Sequence, residues 1–301
     1  MRTLENVEGF SLMNCLACVE ASEAVYSGQP TVQTALAHVS VEDCGWAVLV
    51  AFRGTRDPRD FLTDAECWYA PITGGRVHHG FWQGAASVVE NLLQLLGRDF
   101  AYRQVVVTGH SYGAALAKLF ARRLAGHVFE GPTTLHRANL HSVYTFGSPR
   151  IGDAAWARGY DATASADAKA LGAITWRLVN QVDIVPRVPG LLAGYRHCGR
   201  EVYLPAFGPM RFEPGWPMTV LCDAVSIALD YRNRRLGLLA DHHVGHYAQR
   251  IRTLWETDQA EKIQSEQRDA AAVGGFGQRL MASGAATPEG EIKLPAPKTG
   301  E

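Results

Sequence analysis

The segment that most limits how this chain can fold runs from Val105 to Leu116. Three valines and a threonine lead into Gly109-His110-Ser111-Tyr112-Gly113, and an alanine- and leucine-rich stretch follows. β-Branched residues favour a strand before the turn, and the good helix formers from Ala114 to Ala125 favour a helix after it. A turn this sharp leaves no room for Cβ atoms at its flanks, so Gly109 and Gly113 are expected where side chains would strike the neighbouring strand and helix. A serine hydroxyl is a poor nucleophile unless it is presented beside a base, and such a turn pushes its oxygen out at the carboxyl edge of a sheet. Ser111 is therefore the candidate nucleophile. The amide of Tyr112 opens the helix and points to where an oxyanion would form. An ordinary glycine-rich turn is the competing reading, and the strand before and helix after argue against it.

The rest of the chain alternates in the same manner. Residues 11 to 26 read as an amphipathic helix, with Leu12, Leu16 and Val19 at helical spacing. Thr31 to Val41 and Trp46 to Phe52 read as a hairpin around Glu42-Asp43-Cys44-Gly45. Gln104 to Thr108, Ser142 to Phe146, Ile174 to Asn180 and Glu201 to Leu204 read as buried strands, and Gly84 to Leu96 as a second clear helix. Strands alternating with helices predict an α/β domain with a mostly parallel central sheet flanked by helices. The domain is expected over residues 1 to 255. From Glu256 the composition turns to Gln, Glu, Ala, Gly and Pro, so 256 to 301 are expected to form a polar, mobile tail.

A serine relay on such a fold runs in the chain order serine, acid, histidine. Asp183 follows the predicted strand Trp176 to Asn180 and precedes Pro186, which places it as the acid; a turn or cap role is the bland alternative. The histidine lies in Asp241-His242-His243-Val244-Gly245-His246-Tyr247, where three imidazoles stand within five residues. His242 and His246 are one helical turn apart, but no His-Glu-x-x-His pattern or cysteine pair accompanies them, so neither a metal nor another cofactor is expected.

Composition narrows the remaining classes. The 29 basic and 30 acidic side chains leave a formal net charge of -1, which gives no reason to expect a nucleic-acid partner or attraction to anionic membranes. The six cysteines, at 15, 18, 44, 67, 198 and 222, are scattered and read as buried thiols. Glu5 and Glu8 stand where a secretory leader needs basic charge, which predicts a cytoplasmic location, with signal-independent secretion as the alternative.

Several further segments resemble one family, the class 3 or fungal-type lipases. They are Ala51-Phe52-Arg53-Gly54-Thr55, Val77-His78-His79-Gly80-Phe81, the serine turn, Tyr144 to Asp153, Val179 to Pro186 and Asp241 to Tyr247, and the resemblance covers roughly residues 10 to 255. It implies an α/β-hydrolase fold and a Ser111, Asp183, His242 triad, because in bacterial members the catalytic histidine follows an Asp and precedes a Tyr by five positions. It further implies an oxyanion hole from the amides of Tyr112 and Thr55, with the Thr55 hydroxyl able to assist. His110 and His197 resemble family positions that are not catalytic, and packed or hydrogen-bonded structural roles are expected for both. Tyr112 departs from the family's commonest residue, leucine, and the stretch from Pro205 to Leu239 is longer than usual.

The activity implied is lipase-like hydrolysis of acylglycerols or related fatty-acyl esters. Short soluble esters or a phospholipase A1-type activity are the alternatives. A non-catalytic binding module of the same fold would ordinarily have lost part of the relay, and all of it is present here. An acyltransferase or peptidase could use the same acyl-enzyme. Residues 56 to 64 stand where the family carries its lid, with only Phe61 and Leu62 apolar among the charges, so at most transient contact with a lipid surface is expected. The stripe Val220 to Leu229 is the other candidate roof of an acyl pocket. Oligomeric state is not encoded in any of these patterns.

Overall fold

The computed structural model describes residues 2–55, 68–126, 128–130, 135–137, 139–215, 217 and 240–282. The expected lid at 56–64 and the stripe Val220 to Leu229 lie outside these residues. The chain divides into two compact units, Met1–Trp255 and Glu256–Glu301.

The first unit opens with α1 (Leu12–Ala24), whose N-cap Ser11 accepts the Asn14 amide and satisfies one of the helix's orphan donors. There follow β1 (Val32–Gln33), β2 (His38–Asp43), β3 (Ala47–Phe52), β4 (Tyr69–Ile72), β5 (Gly75–His78), α2 (His79–Asp99), β6 (Gln104–His110) and α3 (Tyr112–Ala125). The short pair β7 (Val128–Glu130) and β8 (Leu135–Arg137) precedes β9 (Asn139–Phe146), β10 (Gly152–Asp153), α4 (Ala154–Ala162) and α5 (Leu171–Ile174). Then come β11 (Thr175–Asn180), β12 (Tyr195–Arg196), β13 (Arg200–Leu204), β14 (Arg211–Phe212) and α6 (Val244–Ala282).

Eight strands form the main sheet in the order β1-β2-β3-β6-β9-β11-β13-β14. The pairs from β3 to β13 are parallel, and only the edges are antiparallel. The sheet carries an apolar cluster on each face. One packs under α2, α3 and α4 through Leu92, Leu116, Phe120 and Trp156; the other packs under α1 and α6 through Cys18, Val19, Tyr247 and Ile251. Burial on both faces is why β3 reads as an unbroken apolar run and why β6 and β11 are buried along almost their whole length in place of alternating. This is the α/β-hydrolase fold, with a mostly parallel central sheet between helices.

The run expected as one strand from Thr31 to Val41 is broken. The Thr34 hydroxyl accepts the amide of Ala37 at 3.0 Å and closes a turn between β1 and β2. A second sheet, β12-β10-β5-β4, has no periodic signature in the sequence because its strands are only two to four residues long. In the second unit helical turns continue to Ala282 through the segment whose composition marks it as tail. Gln, Glu, Ala and Lys are good helix formers, and Lys262 pairs with Asp258 one turn away.

Cys15, Cys18, Cys44 and Cys198 are buried free thiols. Lys118, on α3, is fully buried, and its Nζ has no hydrogen-bond partner among the described residues; burial draws its pKa down to about 8. No helix among the described residues is long and apolar enough to cross a membrane. Among them, too, no group of three or more His, Cys, Asp or Glu side chains is placed to hold a metal ion.

Candidate active site

β6 runs straight into α3, and the one residue between them is Ser111, with φ 59° and ψ −127°. A non-glycine residue in this region carries about 1–3 kcal/mol of backbone strain and persists only where its surroundings enforce it. The enforcement is visible in the flanking glycines. A Cβ on Gly109 would stand 2.4 Å from the Gly113 carbonyl oxygen, and one on Gly113 would stand 2.2 Å from that of Phe52. The Ser111 amide donates to the Phe146 carbonyl of β9 at 2.9 Å, which pins the turn to the sheet.

Two other segments converge on this turn. After β11 the chain passes through Gln181 at φ 43°, and the amide of Gln181 donates to Leu204 at the end of β13. The next turn presents Asp183, which is wholly buried. From the far side of the sheet, Ala240 to His243 lead into α6 and deliver His242. His242 Nε2 lies 2.8 Å from Ser111 Oγ, and its Nδ1 lies 2.9 Å and 3.0 Å from the two oxygens of Asp183. The three residues are 2%, 1% and 0% exposed, so this line of hydrogen bonds runs out of bulk water. His243 and His246 take no part in it; their rings face each other 5.9 Å apart.

Asp183 is held by more than the imidazole. Its Oδ1 accepts the Val185 amide at 2.9 Å, and its Oδ2 accepts the Tyr247 hydroxyl at 2.7 Å. Burial first, and the Asp183 charge second, keep the Tyr247 phenol well above its ordinary pKa, so it remains a donor. Gly147, at φ 57°, lies directly over the pair, where a Cβ would be 2.8 Å from both Asp183 Oδ2 and His242 Nδ1. Neither Tyr247 as a partner of the acid nor Gly147 as a spacer stands out in the sequence. The tyrosine there does no more than distinguish one histidine from its neighbours, and the glycine is one small residue among the ten from Tyr144 to Asp153.

The remaining expected residues also lie at this edge. Tyr112 is the first residue of α3, where helix amides have no intrahelical acceptor. Its phenol donates to the carbonyls of Leu36 and Gly80 at 3.3 and 3.4 Å. Thr55 follows the end of β3, and its buried hydroxyl has no hydrogen-bond partner among the described residues. The imidazole of His110 contacts the His242 carbonyl, and that of His197 contacts the Pro186 carbonyl at 2.7 Å, so both histidines are hydrogen-bonded as expected.

Residues 49–193 match the sequence model of the family described as Lipase (class 3). The chain is 29% identical over 199 residues to the lipase of Rhizomucor miehei, a match covering 64% of this chain and 51% of that one. It is 28% identical over 195 residues to the secreted mono- and diacylglycerol lipase A of Penicillium cyclopium, covering 62% and 58%. The chain thus spans about half the length of the curated relatives it matches. In fold it is similar to the lipase of Rhizopus microsporus var. chinensis, with a TM-score of 0.56 at 24% identity over 79% of this chain and 88% of that one.

The expected cytoplasmic location is overturned. A relative named as secreted points outside the cell, and the acidic residues behind the expectation have structural jobs in the folded domain. Glu5 accepts the Ser11 hydroxyl at 2.6 Å, and Glu8 pairs with Lys169 at 2.9 Å, so neither charge reports on a compartment. What the family model and the relatives agree on is likeness: from residue 49 to residue 193 this chain is similar to the class 3 lipases.

Proposed function

We propose that the chain is a serine carboxyl-ester hydrolase, lipase-like, that cleaves acylglycerols or related fatty-acyl esters through an acyl-enzyme. Residues 1 to 255 are the catalytic domain in this reading, and 256 to 301 a polar tail. The observation that carries it is the buried line from Ser111 Oγ through His242 to Asp183, beginning on a strained serine at the carboxyl end of β6.

In the reaction His242 Nε2 takes the Ser111 proton as Oγ attacks the ester carbonyl, and the same proton passes to the departing alcohol. Asp183 holds Nδ1–H, which fixes the tautomer and stabilises the imidazolium. Water, deprotonated by His242, then releases the acid and restores Ser111. The amides of Tyr112 and Thr55 receive the oxyanion, and the Thr55 hydroxyl, which has no partner among the described residues, is available as a third donor. Each such donor is worth about 3 kcal/mol of barrier lowering. The substrate is a lipid or another acyl ester; the near-balanced charge supports no nucleic-acid partner and, at most, transient contact with a lipid surface.

A fluorophosphonate label tests the nucleophile, and a chain-length series of p-nitrophenyl esters beside emulsified mono-, di- and triacylglycerols tests the substrate. Labelling that disappears in Ser111→Ala, with turnover of the emulsions, is expected. An unlabelled wild-type protein that turns over no ester would overturn the reading, and turnover of short soluble esters alone would replace lipase with esterase.

A further inference from the structure

His110 sits one residue before the nucleophile, is buried, and takes no part in the Ser111–His242–Asp183 line, yet every polar atom of its ring is engaged. Its Nε2 lies 2.6 Å from the main-chain carbonyl of His242, and its Nδ1 lies 2.9 Å from the Tyr26 hydroxyl. A carbonyl only accepts, so Nε2 carries the hydrogen. Burial, together with the neighbouring His242 and His243, opposes a second proton on the ring, which leaves Nδ1 as a lone pair. Tyr26 must then donate to Nδ1, and its oxygen packs closely against Gly54, where a Cβ would stand 2.2 Å from it. The proton positions are thus determined along the chain: Tyr26 O–H to His110 Nδ1, His110 Nε2–H to the His242 carbonyl.

The ends of this chain are what give it meaning. Gly54 precedes Thr55, His110 precedes Ser111, and His242 is the base, so two hydrogen bonds and the packing of the Tyr26 hydroxyl on Gly54 touch all three segments that must be in register for ester attack. We propose that Tyr26 and His110 are positioning residues that act as one strut, fixing His242 relative to the oxyanion strand end and the nucleophile. This rests on the ester-hydrolase reading above. The His110 ring also lies against that of His242, with centroids 4.6 Å apart and planes at 32°. A neutral ring in that place tolerates the imidazolium that forms when His242 accepts the serine proton, whereas a charged one would repel it. Besides His242, His243 and Tyr26, the titratable side chain facing His110 is Tyr247, whose ring is 6.0 Å away.

The test combines kinetics with imidazole nitrogen spectra. Tyr26→Phe keeps the ring but removes the hydroxyl; His110→Phe removes both contacts; His110→Gln keeps an N–H able to reach the His242 carbonyl. On a short soluble p-nitrophenyl ester, Tyr26→Phe and His110→Phe are each expected to lower kcat by about tenfold or more with little change in KM, as misplacement of a base does. The double variant should be no worse than His110→Phe, because the two act as a unit. His110→Gln should recover part of the loss, and the fluorophosphonate labelling rate should fall in parallel with kcat. With 15N-labelled histidine, wild-type His110 should remain the neutral Nε2–H form across the pH range of activity, and in Tyr26→Phe the same tautomer should persist while the Nδ1 resonance moves toward that of an unbonded nitrogen. A folded Tyr26→Phe with wild-type kcat, or a His110 protonated on Nδ1, overturns the strut. A wild type that neither labels nor turns over ester overturns the hydrolase reading instead, and the tautomer spectrum separates the two failures.

Discussion

The Tyr247 hydroxyl donates to Asp183 at 2.7 Å while accepting the main-chain amide of Asn180 at 3.0 Å, so one phenol joins the carboxylate to the strand that carries it. Tyr247→Phe deprives a buried carboxylate of a donor and leaves a buried amide unpaired. A stability loss of about 1–3 kcal/mol is expected. Because Asp183 then orients His242 less firmly, kcat should also fall, by about tenfold, with KM little changed. Urea unfolding and steady-state kinetics on one preparation check both; an unchanged kcat would make Tyr247 a packing residue only.

The relay predicts strong non-additivity. Ser111→Ala and His242→Ala should each cost about a thousandfold or more in kcat, Asp183→Asn should be severely impaired, and the Ser111/His242 double variant should be little worse than either single. Purified proteins assayed on a soluble ester give the comparison. If His243→Ala or His246→Ala is the dead variant, the assignment within this histidine cluster is wrong.

Gly147 offers a steric test of the same pair. Its positive φ and the 2.8 Å approach of a Cβ to both Asp183 Oδ2 and His242 Nδ1 mean that Gly147→Ala must push the two apart or bend the backbone. A displacement near 1 Å at a catalytic group costs about a hundredfold in rate. The variant should therefore fold and lose most of its turnover; wild-type kcat in the folded protein would show that the pair gives way at no cost.

Lys118 concerns stability, not chemistry. Burial lowers its folded-state pKa to about 8 from the ordinary 10.5, so between those values the unfolded chain holds more protons than the folded one. Stability therefore rises with pH through that window, and the full penalty applies below it. Lys118→Met should be more stable than wild type at pH 7, by on the order of 3 kcal/mol, with the gap closing as pH approaches 10. Denaturant unfolding at both pH values decides; a Met variant that is less stable at pH 7 would show that the amine has a favourable role.

The site was legible in proportion to how locally its chemistry is written. Ser111 lies in a five-residue pattern whose strand and helix are contiguous with it, and the glycine collisions expected there are the ones observed. Asp183 and His242 needed chain order and a family pattern, because the contact between them spans 59 residues. Tyr26 is 84 residues from His110 and left no signal, since a lone tyrosine at the end of a helix looks like any other packed aromatic. The large parallel sheet declared itself through runs of buried apolar residues, whereas β10 and β12, two residues each, are too short for any periodicity. The strand expected from Thr31 to Val41 failed at Thr34, where a side-chain hydroxyl outcompeted the ladder for a backbone amide.

The contacts around Gly109 and Gly113 also say where this scaffold can be reshaped. Each position is blocked by main-chain carbonyl groups, which cannot swing aside as a side chain can, so a methyl group there has nowhere to go. Libraries aimed at new substrate preference would therefore be wasted on the hinge beneath the nucleophile. Diversity belongs at exposed apolar positions such as Leu36, Trp68 and Trp82, which are 50%, 66% and 41% exposed and so meet no such main-chain barrier on their open sides.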